Sequence, residues 1–344
     1  MKLLSKLKEK KILVIILSVT LVLLIGCAAY IGINVSKIWG ELDFDESAAA
    51  TDEYEEDPEA SGLPEIVIDE PAPSAFAQPT IEKTEEMVDI LLLGVDNRNR
   101  SHFSGRSDVI MYLRIDTKSQ SVKLVSFMRD TLVKMKGHND NKLNTAYRFG
   151  STKLAKKTMN ENFGLMPDHY IVVNFYGMED IINSLGGVDI DIEKRELKYL
   201  NVSIDEINSI DKKNKSAHVS KHGLQHLNGR QAVAYMRIRH IGNGDRQRIK
   251  RQQTVMSELF KKLKKVGIGE LPGLISTCVE YVRTDIPLSR IIEIAKSVKE
   301  MELDEFQKFS YPHNYITGSY NGMSVVKARN RNEEIERLKN FMDN

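Results

Sequence analysis

Cysteine is nearly absent from this chain of 344 residues: there are two, Cys27 and Cys278. That excludes an intradomain disulfide and a Cys-x-x-Cys metal or redox site. Several catalytic signatures are missing too. There is no Gly-x-Ser-x-Gly, no His-Glu-x-x-His and no P-loop, so serine-hydrolase, zincin and P-loop NTPase readings have no support. Internal repeats are lacking, and net charge is nearly so, at +1.

That small net charge conceals a strong polarity along the chain. Residues 1–40 carry six lysines and one glutamate, and residues 41–86 carry sixteen acids and one lysine. The balance leaves +11 for residues 87–344, a basic part behind an acidic one. Such a part favours an anionic ligand without naming it.

Charge is also missing from Ile12 to Ser36, a run almost wholly apolar to Ile33. At about 1.5 Å per residue it is long enough to span a hydrocarbon core of roughly 30 Å. Lys2, Lys6, Lys8, Lys10 and Lys11 precede it and acids follow. The positive-inside rule then predicts a cytoplasmic segment 1–11, an uncleaved transmembrane anchor over 12–36, and an extracytoplasmic remainder in a single-pass protein of the cell membrane. "LIGC", Leu24–Cys27, offers lipidation at Cys27 as the alternative, but Ala28–Val35 stays apolar where a lipoprotein turns polar. Residues 37–86 read as an acidic linker. Five of the nine prolines fall at 58, 64, 71, 73 and 79, with too few large apolar groups to fold.

From Met87 the pattern predicts a folded domain over 87–344. "MVDILLLGVD", "SDVIMYLRID" and "SVKLVSFM" read as three strands, followed by an amphipathic stretch at Thr152–Phe163. A strand "HYIVVNF", a helix near Met178–Leu185 and a strand in "GGVDIDI" come next. Residues 193–222 read as a polar loop and "QAVAYMRIR" as a strand. A helix from Asp245 to Lys265 and helices near Leu288–Met301 and Asn332–Met342 complete an α/β or α+β alternation.

Charge converges in two places. "YMRIRHIGNGDRQRIKRQQ", Tyr235–Gln253, holds six arginines and lysines and one histidine against one acid, Asp245. On a strand, Tyr235, Arg237 and Arg239 share a face; an edge strand blunted by charge is the plain alternative. Asp245 is the expected N-cap of the next helix, where Arg248 and Gln252, four apart, share a face near backbone N–H groups that favour anions. Guanidinium forks suit phosphate oxygens better than ammonium groups do.

Upstream, Asp96, Arg106, Asp108, Arg129 and Asp130 sit at strand ends. Strands running up, down and up would gather all five at one end of a sheet. Carboxylates among arginines suit a divalent cation bridging phosphate oxygens, with an ordinary ion-pair network as the alternative. His218, His222 and His226 have helical spacing, but Gly223 interrupts and no acid completes a metal site. Nucleic acid is not an expected partner: the domain lies outside the membrane and has no aromatic-interleaved basic platform.

In order, "LLLGVDNR", "GRSDVIMYLRID", "SFMRD", "NKLNTAY", "NSLGGVDIDI", "LNGRQAVAYMRIRH" and "GDRQRIKRQQ" resemble the LytR–CpsA–Psr proteins of bacterial envelopes over about Asp89–Val255. The resemblance implies an α–β–α sandwich with a central mixed sheet and a hydrophobic lipid pocket. It implies a phosphotransferase that moves a teichoic acid, capsular or other wall polysaccharide from a polyprenyl-pyrophosphate carrier to peptidoglycan, as a phosphodiester. Mg²⁺ or Mn²⁺ is expected at the pyrophosphate, held by Asp96 and Asp108. Arg106, Arg129, Arg237, Arg239 and Arg248 would grip the pyrophosphate and Gln252 would hydrogen-bond it. Asp108, Arg129, Arg237 and Arg239 would carry the chemistry, with Asp108 ahead of Asp96 as proton acceptor. A sensor of lipid-linked precursors and a hydrolase are the rival readings. One departure is Met128, where the family's Arg-Asp pair usually follows proline, which predicts a looser turn at Arg129.

Overall fold

Strand β1, Met87–Val95, is buried on both faces: Leu91, Leu93 and Val95 point into one apolar cluster, Val88 and Ile90 into another. A strand so apolar must lie inside a sheet covered on both sides, and it does. The computed structural model describes residues 62–66, 81–97, 102–239, 241, 244–279 and 281–344. The expected anchor and most of the expected linker lie outside these residues. Among those described, no helix is long and apolar enough to cross a membrane.

Along the chain β1 is followed by β2 (Ser107–Asp116), β3 (Ser121–Phe127), a short β4–β5 ribbon (Leu132–Val133 and Asn141–Lys142) and α1 (Thr145–Phe163). Then come β6 (His169–Asn174), α2 (Phe175–Ser184), β7 (Val188–Ile192), α3 (Leu197–Ile210), β8 (Gly223–Leu227), α4 (Gly229–Arg237) and α5 (Asp245–Lys265). The chain closes with α6 (Leu271–Val279), β9 (Val282–Thr284), α7 (Leu288–Glu300), β10 (Gln307–Tyr311), the β11–β12 hairpin (Tyr315–Tyr320 and Met323–Ala328) and α8 (Arg331–Asp343).

Six strands form the central mixed sheet in the order β10-β3-β2-β1-β6-β9. β1, β2 and β3 run antiparallel in turn, while β6 joins β1 and β10 joins β3 in parallel. One face packs on α1 and α8 through Tyr112, Phe127, Met159, Phe163 and Leu338. The other packs on α5 and α7 through Met111, Leu124, Phe260, Ile294 and Val298. A third cluster joins α2, α3, α4 and the β7–β8 ribbon.

Two of the expected elements differ from the structure. "QAVAYMRIR" is not a strand: Gly229–Arg237 is helical. Asn228 accepts from the Gln231 N–H while Gln231 reaches back to the Asn228 N–H, a capping box that starts the helix. Gly229 is required there, because a Cβ would lie 2.0 Å from the Glu179 carbonyl oxygen. Residues 193–222 are not all loop either. Leu200, Ile204 and Ile207 form the buried stripe of α3, at spacings of four and three.

Part of the segment expected to be linker is packed. The Ile66 N–H donates to the Ser319 carbonyl at 2.7 Å and the Ser319 N–H to Pro64 at 2.8 Å, with Ile66 buried beside Met323 and Val325. The turn at Met128 is not loosened. Its N–H donates to the Tyr311 carbonyl at 2.9 Å, a bond a proline could not make, and its own carbonyl accepts from the Thr131 N–H and hydroxyl.

Candidate functional site

The up-down-up order of β1, β2 and β3 brings Asp96, Asp108 and Arg129 to one edge of the sheet. Val95 pairs with Ser107 and Ile110 with Phe127, so the end of β1, the start of β2 and the end of β3 are neighbours. The parallel neighbour β6 also ends there, at Asn174. Ligands of open α/β sheets collect beyond such carboxyl ends.

A cavity of about 470 Å³ opens at this edge and runs between the sheet and helices α2 to α5. Its sheet wall is apolar, built by Leu92, Val109, Met111, Ile171 and Val173. The helical wall adds Phe175, Met178 and Ile181 from α2, Val202 from α3, Val233 and Met236 from α4, and Met256 and Leu259 from α5. At the mouth the lining turns polar, with Asp96, Asp108, Arg237, Arg239, Arg248 and Gln252. Of the expected site residues, six therefore share one cavity. Arg129 reaches it through Asp108, whereas Arg106 is exposed and outside the lining.

Helix–turn–helix geometry, not strand alternation, places the arginines. Arg237 ends α4 and lies over the Phe175 ring, 4.6 Å from its centre. Arg239 follows the helix end, 45 % exposed, and reaches Asp108 at 3.3 Å. Arg251 is not part of the mouth. It is fully buried, pairs with Glu196 at 2.8 Å and donates to the Ile238 carbonyl at 2.9 Å, which fixes the chain between Arg237 and Arg239.

Gly244, not Asp245, caps α5. Asp245 is the first helical residue and pairs with Arg248 at 3.1 Å, one turn on. Arg248 is only 4 % exposed, and its Nε has no hydrogen-bond partner among the described residues. Burial lowers its pKa, and the neighbouring Arg129 and Arg239 guanidiniums lower it further against the pull of Asp245 and Asp108. A buried guanidinium with an idle donor, crowded by like charge, is a site that an anion would relieve.

Asp108 is the counter-charge. Arg129 Nη1 donates to one of its oxygens at 2.8 Å and Arg239 Nη2 to the other at 3.3 Å. Burial pushes its carboxyl up, but Arg129, Arg248 and Arg239 together hold it below the usual carboxylate range. Arg129 also reaches Asp130 at 3.2 Å, and its pKa is raised because Asp130, Asp108 and Asp245 outweigh its burial.

The donor set bears on a metal. Among the described residues no three His, Cys, Asp or Glu side chains cluster. Two carboxylates at the mouth fit Mg²⁺, which takes one or two and fills its shell with water and substrate phosphate. The hydrophobic pocket was implied by the resemblance, but the residues that build its wall were not identified from the sequence. Its signals were present, in the amphipathic spacing of α3 and the Asn-x-x-Gln capping box of α4.

Comparisons with known proteins agree with this architecture. A family described as "LytR_cpsA_psr family" matches residues 46–342. "Regulatory protein MsrR" of Staphylococcus aureus is 31 % identical over 266 residues, covering 76 % of each chain. "Polyisoprenyl-teichoic acid–peptidoglycan teichoic acid transferase TagU" of Bacillus cereus is 30 % identical over 295 residues, 85 % of this chain and 84 % of its own. A structure of "LytR-CPS2A-psr family protein YwtF (TagT)", a protein of Bacillus subtilis, holds bound octaprenyl pyrophosphate lipid. It superposes with a TM-score of 0.56 at 22 % identity, over 82 % of this chain and 96 % of that one.

Proposed function

The chain belongs to the LytR–CpsA–Psr family, and on that premise we propose that it is a membrane-anchored phosphotransferase that moves a glycopolymer from a polyprenyl-pyrophosphate carrier to peptidoglycan. One observation carries this reading: a single cavity, its wall mostly apolar, ends at Arg237, Arg239, Arg248 and Asp108. An apolar tail with a pyrophosphate head has that polarity. The teichoic acid transfer named for TagU and the lipid bound in the TagT structure support the same reading.

The prenyl chain would lie between Val202, Met236 and Met256, with the pyrophosphate against Arg248, Arg237 and Arg239 and the Gln252 amide as a further donor. An acceptor hydroxyl oxygen bonds to the sugar-linked phosphorus as that phosphorus parts from the bridging oxygen. Polyprenyl monophosphate leaves, its new charge held by the arginines; such preorganised cations are the main catalytic device in phosphoryl transfer. Asp96 and Asp108 would hold Mg²⁺ or Mn²⁺, which supplies further charge neutralisation when bound. Asp108 is a poor proton acceptor, because two guanidiniums occupy its oxygens and depress its pKa. The hydroxyl proton would pass to Asp96, exposed at the rim, on the carboxylate oxygen that a bound metal leaves free.

The test incubates the full chain in detergent with a polyprenyl-pyrophosphate-linked oligosaccharide and peptidoglycan oligomers, with Mg²⁺ or with chelator, and follows sugar and lipid by mass spectrometry. Sugar phosphate on the acceptor together with polyprenyl monophosphate, lost on chelation, is the expected result. Free sugar phosphate would assign a hydrolase instead. The name of MsrR favours one second reading, a sensor of lipid-linked precursors; donor bound but unchanged would be its signature.

A further inference from the structure

The arginine mouth is one end of the helical layer, and the transfer reaction does not use the other. Arg248 stands in the first turn of α5, and Lys262 lies about four turns on, about 21 Å along the axis. "KKLKK", Lys261–Lys265, closes that helix. Lys264 turns inward, its ammonium donating to the Val298 and Lys299 carbonyls of α7 at 3.1 and 2.9 Å. Lys261 pairs with Glu258 at 2.8 Å. Lys262 is half-exposed and Lys265 exposed, and neither makes an ion pair with a described residue.

A stretch with almost no charge follows. Residues 266–279, "VGIGELPGLISTCV", hold one acid, Glu270, whose carboxylate accepts from the Gly267 N–H at 3.1 Å. Ile268 is 48 % exposed. Helix α6 buries Leu271 and Ile275 beside Ala295 of α7 and leaves Pro272, Gly273, Ser276 and Thr277 exposed, with no charge among them. A helix facing water normally carries charge on its outer side. A second cavity, of about 340 Å³, opens here between the ends of α2 and α5 and helix α6. One turn separates its walls from those of the first. Ile181 lines the first cavity and Ser184 the second on α2, and Leu259 and Lys262 do the same on α5.

We propose that this α5–α6 end is a bilayer-docking surface, with Lys262 and Lys265 meeting anionic headgroups and Ile268 and the uncharged face of α6 entering the headgroup layer. The inference rests on the proposed function, which draws a prenyl chain from a bilayer, and names the face that meets that bilayer. Cations beside exposed apolar groups bind an anionic interface through headgroup charge and buried apolar area together. Lysines at a helix C-terminus also complement its dipole, but that explains neither the uncharged stretch beyond them nor the cavity. Docked in this way, the cavities run from the headgroups to the arginines. A prenyl chain whose head sits at the mouth keeps its tail covered down to the bilayer.

The experiment places the full chain in nanodiscs of phosphatidylcholine, alone or with phosphatidylglycerol, and reads amide hydrogen exchange by mass spectrometry. Exchange over residues 266–270, between the two helices, is expected to slow about threefold or more with phosphatidylglycerol. Lys262→Gln combined with Lys265→Gln should weaken docking about fivefold per lysine, roughly 25-fold for both, and return exchange to the phosphatidylcholine rate. Thermal unfolding of this variant, expected at the wild-type Tm, shows that the fold is kept. Equal exchange in the two kinds of nanodisc, or slowing that survives the double substitution, would overturn the inference. Slowing by soluble poly(glycerol phosphate) in detergent, with none from phosphatidylglycerol, would overturn it too and assign the lysines to a wall polyanion. The readout uses no turnover, so a chain that docks but transfers nothing would overturn the proposed function and leave the docking surface standing.

Discussion

Replacing Arg129 with alanine tests the electrostatic core of the site. Arg129 joins Asp108 at 2.8 Å to Asp130 at 3.2 Å, and both acids are mostly buried, with side chains 13 % and 17 % exposed. Breaking such a pair leaves an uncompensated carboxylate, which costs about 3–5 kcal/mol when fully buried. Residual solvent contact, Arg239 and Lys142 reduce this to roughly 2–4 kcal/mol. In a domain of this size that is a fall in Tm of roughly 5–12 °C. The pH dependence carries the sharper signature. The Asp108 pKa is depressed, so its pairing stabilises the fold above the unfolded carboxylate pKa and ceases to do so as pH falls through the folded value. The gap between wild type and Arg129→Ala should therefore be full at neutral pH and shrink in acid. Thermal unfolding followed by circular dichroism from neutral to acidic pH measures it. A gap below about 0.5 kcal/mol, or one that does not narrow in acid, would refute the reasoning.

Three further outcomes follow from the same geometry. Arg237→Ala should raise the donor KM about tenfold or more with little change in Tm, since the side chain packs over the Phe175 ring at the cavity mouth; an unchanged donor KM would remove Arg237 from the site. Met236→Trp, which fills the apolar wall, should weaken a long-chain prenyl pyrophosphate about tenfold and leave inorganic pyrophosphate unaffected, as read by calorimetry with both probes. Arg230→Ala should cost about 3–5 kcal/mol, because Arg230 is buried against Glu179 at 3.1 Å and Asp211 at 2.7 Å. Its transfer rate at low temperature should stay near wild type, and a stability close to wild type by denaturant unfolding would contradict the claim.

Much of the sheet was legible because its signals are local. β1, β2 and β3 lie within the apolar runs that mark buried strands, and the helices Asp245–Lys265 and Leu288–Glu300 coincide with their expected stretches. "QAVAYMRIR" misled because Ala232, Val233, Ala234 and Tyr235 are buried in succession, a run that periodicity cannot assign to strand or helix. The capping box at Asn228 and Gln231 was the deciding signal, and it lies just before the run. In the C-terminal third, the Asn321-Gly322 turn between Tyr320 and Met323 marked the β11–β12 hairpin, with both residues at positive φ.

The sequence by itself determined which residues are apolar or cationic, and that six cations crowd Tyr235–Gln253. Only the tertiary structure decided which of them meet. Arg237 enters the cavity mouth at the end of a helix, while Arg251, equally basic, is buried against Glu196 and holds the Ile238 carbonyl. Asp108 lies 21 residues before Arg129 and 131 before Arg239, and their contact depends on the β2–β3 pairing and on α4 packing against α2 and α3. Local sequence sets the periodicity of one element. The direction in which a side chain finally points depends on how distant elements pack, and that is a property of the whole chain.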